Sequence, residues 1–578
     1  MCGAHKATAG SGGGLHMDLR PGRADTRRMA ESYESHPPSV QQPSEQGQRP
    51  PRTPVLAAGG MAASAHPAVT FAGAAVLRDG GNAVDAALAM AAMSWLALPG
   101  QCGVGGDAFA VVREPDGRVW TVCGSGYGPD GGDAGFYADR GHGAVPIAGP
   151  LSVAVPGAPA ALAALHAEGA TRGLTELWAP AARAAEGGLP CTAKTRRDIA
   201  EEERLLAADP DALRNLLPAG RPPAVGHRLA QPELAATIRT LAADPAAFYT
   251  GAFAERAVAF LRAAGAPFSG EEWALTGDVA PQPAISTAYR GRTVHQTPPP
   301  TPGWMALQQL ALCDGTLGDL APLGADAVHL LASAARLSFA DRVGRCASDT
   351  DVWRETLTAE AVAAARERLA RGEAPPGAAG PADGDTTSMV AVDADGRAVS
   401  YIHSLAFTFG SKVTVPGTGV LLNNRLGRGA YLIPGHPNAV HPRRRPLHTL
   451  NAWIVTDAAG RLEHVGNTPG GDGQVQWNTQ LISHLVDHGL DPQAAVEAPR
   501  FFIHPGSDAD VIGQPEELRC ESRLGGDVLA GLRERGHEVT DAGPWGGGGS
   551  AMVISADTER GCLLGGADPR QDGVALGV

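Results

Sequence analysis

The spacing of apolar and polar positions changes character along the chain. From about Val55 to Val122 it reads strand, helix, helix, hairpin. Residues 57–64 (Ala-Ala-Gly-Gly-Met-Ala-Ala-Ser) form a short strand, and His66-Pro67 opens a helix to about Leu77 that Asp79-Gly80-Gly81 breaks. Asn82 caps the next helix, with Asp85 three residues later in favourable register with the helix dipole. That helix, 83–98, is apolar nearly all round and is expected to be buried. The glycine turn Gly103-Val104-Gly105-Gly106-Asp107 follows, then strand 108–112, the hairpin turn Asp116-Gly117 and a return strand over 119–122.

Residues 157–275 carry a helical period, with segments predicted at 158–166, 174–186, 195–206, 232–243 and 252–264. One strand is predicted over 287–296. The rigid turn at 298–303, with four prolines, introduces a helix at 304–312, and helices 325–341 and 359–371 come next. Beyond residue 386 the period drops to two, with strands at 386–393, 397–404, 411–415, 418–422, 452–456 and 462–466. Helices are expected at 474–488 and 494–502. The end reads as a small α/β lobe, helical over 528–535 and extended over 550–554 and 562–566. Helices before, strands after and helices behind fit an α+β chain, a four-layer αββα sandwich of two antiparallel sheets between helical layers.

A chain of 578 residues is long for one core and suggests at least two packed units. Hydrophobic content of 43% and charged content of 19% describe a soluble globular protein. The formal charge of −14 argues against a nucleic-acid partner, which would need a basic face. The eight cysteines are scattered without a C-x-x-C pair, so neither a zinc site nor a disulfide scaffold is indicated, and such thiols suit a reducing compartment. Residues 1–54 are polar and Gly/Pro-rich and read as a disordered tail without the apolar run of an export signal. No stretch reaches the length of a membrane span, so no membrane partner is expected.

The junction at Thr386 concentrates the chemistry. Residues 371–384 are rich in Gly, Ala and Pro and cannot build a core. Directly after them Thr386-Thr387-Ser388-Met389-Val390 starts a strand that turns at Asp395-Gly396. Cleavage of the Asp385–Thr386 bond would give Thr386 both a hydroxyl and a free α-amine. A threonine hydroxyl needs a base to act as nucleophile, and an α-amine titrating at roughly 7.7–8.0 can supply it. The linker, extended, spans about 45–50 Å, enough for its new end to leave the site.

Further along, Thr468-Pro469-Gly470-Gly471-Asp472-Gly473 precedes a helix and exposes consecutive backbone N–H groups suited to a developing oxyanion. No Lys-Ser/Thr follows, so it is no phosphate loop. His436, His441 and His448 are broken up by prolines and match no metal-ligand spacing. Arg425 and Arg428 sit just beyond the strand ending at Asn424. Ser125 and Ser550 lack a G-x-S-x-G context.

In order along the chain, these stretches resemble the γ-glutamyltransferase (γ-glutamyl transpeptidase) family of N-terminal-nucleophile hydrolases. The resemblance is carried by 60–67, 77–87, Gly103–Gly106, Ala154–Gly157, Pro298–Pro300, Thr386-Thr387, Phe409–Ser411, Pro416–Asn424, Arg445–Leu447, Pro469–Gly471 and Gly566–Arg570. It implies a precursor cut between Asp385 and Thr386 into subunits 1–385 and 386–578, with the ordered part of the larger covering 55–385. It also implies acyl transfer from a small-molecule substrate through a threonyl ester, with no cofactor or metal. By the same resemblance Thr386 is the nucleophile, Gly470 and Gly471 form the oxyanion hole, and Ser404 stands where family members place a threonine hydroxyl near the nucleophile.

The residues that read glutamate depart from the family pattern. An arginine position becomes Cys123-Gly124-Ser125-Gly126, an aspartate position becomes Arg428 with Arg425 nearby, an asparagine becomes Ala406, and a serine pair becomes His448-Thr449. A cation in place of the aspartate would repel the glutamyl ammonium. The expected substrate therefore bears a carboxylate or keto acid and lacks a glutamyl head, with Arg425, Arg428, His448, Thr449 and Ser125 as its contacts. Divergent branches of the family include acylases, amide hydrolases and carbon–carbon bond hydrolases of antibiotic alkylproline biosynthesis. These residues leave the bond type open, and leave open an unprocessed binding protein. The expected compartment is the cytoplasm.

Overall fold

Strand Thr387–Asp393 lies at the middle of the molecule, and every one of its residues is buried. It pairs antiparallel with Gly60–Ser64 on one side and Ala398–Ser404 on the other. Extended in both directions, this makes a seven-stranded antiparallel sheet in the order Val574–Gly577, Gly60–Ser64, Thr387–Asp393, Ala398–Ser404, Asp107–Arg113, Val119–Gly124, Gln282–Pro283. A second seven-stranded antiparallel sheet runs Val55–Ala57, Cys562–Ala567, Met552–Asp557, Leu462–Asn467, Trp453–Thr456, Arg292–Gln296, Ile285–Tyr289. This is the computed structural model of the chain, and it describes residues 52–373, 386–508, 512 and 514–578.

The sheets stack face to face. Met389, Val390, Val399 and Ile402 of one share a core with Val465, Met552 and Ile554 of the other. Polar ties cross the same interface: Ser400 Oγ donates to the Gly466 carbonyl at 2.8 Å, and Asn467 Nδ2 to the Tyr401 carbonyl at 2.9 Å. Helix Ala83–Ala97 covers the outer face of the first sheet. All its residues are buried, and Asn82 with Asp85 forms a reciprocal capping box. Helices Gly303–Cys313 and Gly473–Val486 cover the second sheet, where Leu307, Leu310, Leu481 and Ile482 pack against Trp453 and Val455. The architecture is the αββα sandwich expected from the pattern.

Three local expectations are corrected. The single strand predicted over 287–296 is a hairpin, Ile285–Tyr289 and Arg292–Gln296, turned at Arg290 and Gly291, whose φ angles are 50° and 76°. Two consecutive left-handed residues give the two-residue turn that matches strand twist. The helix expected over 494–502 is helix Pro492–Glu497 followed by strand Phe501–His504, because Pro499 cannot continue a helix. The expected C-terminal lobe is divided. Met552–Asp557 and Cys562–Ala567 enter the second central sheet, whereas Phe501–His504, Glu517–Cys520 and Val539–Asp541 make a separate three-stranded sheet under helix Gly526–Glu534. The tail expectation for 1–54 falls mostly outside the described residues; Val55–Ala57, just after it, is an edge strand paired with Leu563–Gly565.

Candidate active site

Strand register sets a row of polar side chains across the first sheet. Thr387 pairs with His403, so one step further along the ladder Thr386 faces Ser404. Ser404 pairs with Asp107, and Ala108 pairs with Gly124, which brings Asp107 opposite Ser125. Facing residues of antiparallel strands present their side chains on one face. Thr386, Ser404, Asp107 and Ser125 therefore line up over three strand spacings, about 14 Å. All four are buried.

At one end of the row the Thr386 hydroxyl donates to Ser404 Oγ at 3.0 Å, and Ser404 Oγ also accepts the Ala406 N–H at 2.9 Å. Ala406 has φ of 87°, so the chain reverses directly after the strand and returns its amide to the serine. With the Gln101 amide nitrogen turned towards Thr386, it donates to the Thr386 carbonyl at 3.3 Å while the amide oxygen accepts from Lys194 Nζ at 3.1 Å. Lys194 is in turn paired with Asp198 at 2.7 Å. Asp385 lies outside the described residues.

Gly470 and Gly471 follow strand Leu462–Asn467, whose Asn467 is tied to Tyr401, so they leave the second sheet at the end where Ser404 leaves the first. Their φ angles are 124° and 54°, and a Cβ on Gly470 would stand 2.2 Å from the Trp477 ring, so only glycine fits. Among the described residues no acceptor takes either N–H. The two amides are thus free donors ahead of helix Gly473–Val486.

At the other end the row meets Arg425, the first residue of the short helix Arg425–Gly429. Arg425 Nε donates to Asp107 Oδ2 at 3.3 Å, whereas its Nη1 and Nη2 have no partner among the described residues, although the side chain is 1% exposed. Burial lowers the Arg425 guanidinium to about 10. Burial likewise raises the Asp107 carboxyl to about 6, against the opposing pull of Arg425 and the Gly157 N–H. His448 Nε2 lies 2.9 Å from Ser125 Oγ and 4.0 Å from Asp107 Oδ2, and its Nδ1 has no partner. Burial first, then the Arg425 charge, holds this imidazole well below its ordinary value, so it is neutral. Thr449 is buried next to it in sequence, its carbonyl accepting from Asn451 Nδ2 at 3.4 Å.

Arg428 is engaged differently. Nε and Nη2 form a fork on Asp508 at 2.9 Å each, and Nη1 donates to the Ala406 carbonyl at 3.0 Å. The cation expected to repel an ammonium is therefore matched by a carboxylate 80 positions away, which sequence reasoning missed. Gln101 and Asp107 were missed as well. Asp107 did carry a signal, as a lone acid between a glycine turn and an apolar strand. Among the described residues no three His, Cys, Asp or Glu side chains gather as metal ligands.

The αββα sandwich with a hydroxyl residue at the start of a central strand is the N-terminal-nucleophile hydrolase fold. Residues 70–578 match the gamma-glutamyltranspeptidase family model, and the chain belongs to that family. It is 33% identical to the glutathione hydrolase-like YwrD proenzyme of Bacillus subtilis (strain 168), over 90% of this chain and 98% of that one. It is 32% identical to the oxamate amidohydrolase proenzyme of Klebsiella pneumoniae, over 90% and 98%. The crystal structure of cephalosporin acylase from Bacillus halodurans superposes with a TM-score of 0.83 at 30% identity, covering 93% of this chain and 99% of that one. The chain is thus an N-terminal-nucleophile hydrolase or transferase of this family.

Proposed function

We propose that the chain cleaves its own Asp385–Thr386 bond, giving subunits 1–385 and 386–578, and that mature Thr386 then transfers an acyl group lacking a glutamyl head. The observation that carries this reading is the buried hydrogen bond from Thr386 to Ser404 at 3.0 Å, made by a residue at the mouth of a central strand.

In the mature enzyme the liberated α-amine takes the hydroxyl proton as Oγ1 attacks the substrate carbonyl. The carbonyl oxygen gains the electron pair and is stabilised by the Gly470 and Gly471 N–H groups. The tetrahedral adduct collapses, the ammonium proton goes to the departing amine, and an ester on Thr386 remains. Water or an amine then attacks that ester through the same donors and restores the threonine.

Support for a carboxylate- or keto-acid-bearing acyl group comes from the unpartnered polar atoms around Asp107. Arg425 Nη1 and Nη2 can only donate, and an ammonium would need acceptors there. The relatives named for oxamate and cephalosporin substrates point the same way, since oxamate carries a carboxylate and no ammonium. Buried free thiols such as Cys102, Cys313 and Cys520 support a cytoplasmic setting.

The test is a denaturing gel of the purified protein with Thr386→Ala beside it. Two fragments from the natural chain, the smaller beginning at Thr386, and one full-length band from the variant are the expected result. A single persistent band from both would leave a binding protein. Rapid release from a γ-glutamyl anilide would refute the substrate assignment.

A further inference from the structure

Arg425 and Arg428 stand one helical turn apart, both buried, in opposite states of satisfaction. Arg428 has each of its three nitrogens bonded, two of them to Asp508. Its partner loop reaches on: the Ser507 N–H donates to Asp472 Oδ2 at 2.6 Å, and Asp472 directly follows Gly471. Arg428 therefore braces the oxyanion loop through Asp508 and Ser507, and the turn after Ser404 through the Ala406 carbonyl. Every nitrogen of Arg428 is thus engaged, with one N–H to spare on each Nη, and the guanidinium lies 4.4 Å over the Phe407 ring.

Arg425 has both Nη atoms unpaired in a site with almost no solvent. Leaving such donors unmet is costly unless a ligand completes them. His448 stands beside the Arg425–Asp107 pair, but the side of its ring that faces Asp107 Oδ2 is Nε2, which lies 2.9 Å from Ser125 Oγ. The two open Arg425 nitrogens form the planar fork that matches a carboxylate.

We propose that Arg425 Nη1 and Nη2 receive the carboxylate of the acyl donor, and that Arg428 is a positioning residue for the oxyanion loop. This rests on the acyl transfer at Thr386 set out above and names the group that the acyl donor must carry. Asp107 stands two strand spacings from Thr386, about 9–10 Å, so the carboxylate lies a few bonds from the scissile carbonyl. The substrate class is a short dicarboxylic monoamide or a close keto-acid analogue.

The probes are succinyl, glutaryl and adipyl p-nitroanilides, with uncharged pentanoyl p-nitroanilide as reference, given to the self-cleaved enzyme. At least one carboxyl-terminated anilide should exceed the pentanoyl compound by about tenfold or more in kcat/KM. Arg425→Gln should reduce that ratio to within about twofold. Arg428→Gln should lower kcat for charged and uncharged anilides alike, with KM and the ratio retained. If Arg425→Gln does not fold, Arg425→Met with Asp107→Asn removes both charges and should give the same loss of preference. A ratio that survives in the Arg425 variants, or collapses in Arg428→Gln, overturns the assignment, as does a natural enzyme that prefers the pentanoyl compound. The two readings separate by intact mass of the 386–578 fragment. Absence of any acyl adduct sinks the reaction at Thr386, whereas an adduct formed without preference for the anion sinks only the carboxylate site.

Discussion

Thr386 and Ser404 are 18 positions apart in sequence and face each other across adjacent strands, their hydroxyls 3.0 Å apart. The serine is held from the other side by the Ala406 N–H at 2.9 Å. The pair sets the orientation of the threonine hydroxyl before any substrate arrives.

Ser404→Ala removes the acceptor and strands a buried N–H. We expect self-cleavage and turnover to fall about tenfold to a hundredfold, with Ser404→Thr retaining most of both. Time courses of fragment appearance on a gel, and kcat on the best anilide, check this. Full rates in Ser404→Ala would remove the serine from the mechanism.

Gly470→Ala should act through packing as well as catalysis. Its Cβ would meet the Trp477 ring at 2.2 Å, on a backbone with φ of 124°. Loss of about a hundredfold or more in kcat is expected, with a fall of about 2 kcal/mol in urea stability. A Trp477→Leu second change should recover stability in part without restoring kcat.

The Arg428–Asp508 fork predicts strong non-additivity. Arg428→Met alone leaves a buried carboxylate unpaired and should cost about 3–5 kcal/mol, as should Asp508→Leu alone. The double variant should cost much less than their sum, measured by urea unfolding of all four proteins. Additive losses would mean that the pair is not coupled in solution.

Asp107 gives a pH signature. Burial raises its folded value to about 6 from an ordinary 3.8, so the folded protein holds this proton where the unfolded chain has released it. Its contribution to stability is therefore favourable at acid pH, declines as pH rises from about 4 to about 6, and is level above. The decline is worth about 3 kcal/mol at most. Asp107→Asn should flatten the difference curve between pH 4 and 6.5; a parallel curve would contradict the assignment.

Several features were legible in the chain itself. The switch of period at Thr386, the capping pair Asn82 and Asp85, and the Pro469-Gly470-Gly471 turn all encode local geometry, and all stand where the pattern put them. The hairpin at Arg290-Gly291 was missed because an arginine in the left-handed region is a poor turn signal. Strand Phe501–His504 was missed because its apolar run after a helix has no period of its own.

What the sequence determined alone was local: which segments are helical or extended, where the backbone must turn, and that one hydroxyl residue begins a buried strand. Tertiary structure decided the company each charge keeps. Arg425 and Arg428 look equivalent in the sequence, yet one meets Asp107 through Nε alone and leaves both Nη unpaired, while the other has every nitrogen engaged, two of them by Asp508. The reason is physical. Backbone preferences act over a few neighbouring residues, whereas the field at a buried charge depends on whichever distant side chain the fold brings within hydrogen-bonding distance.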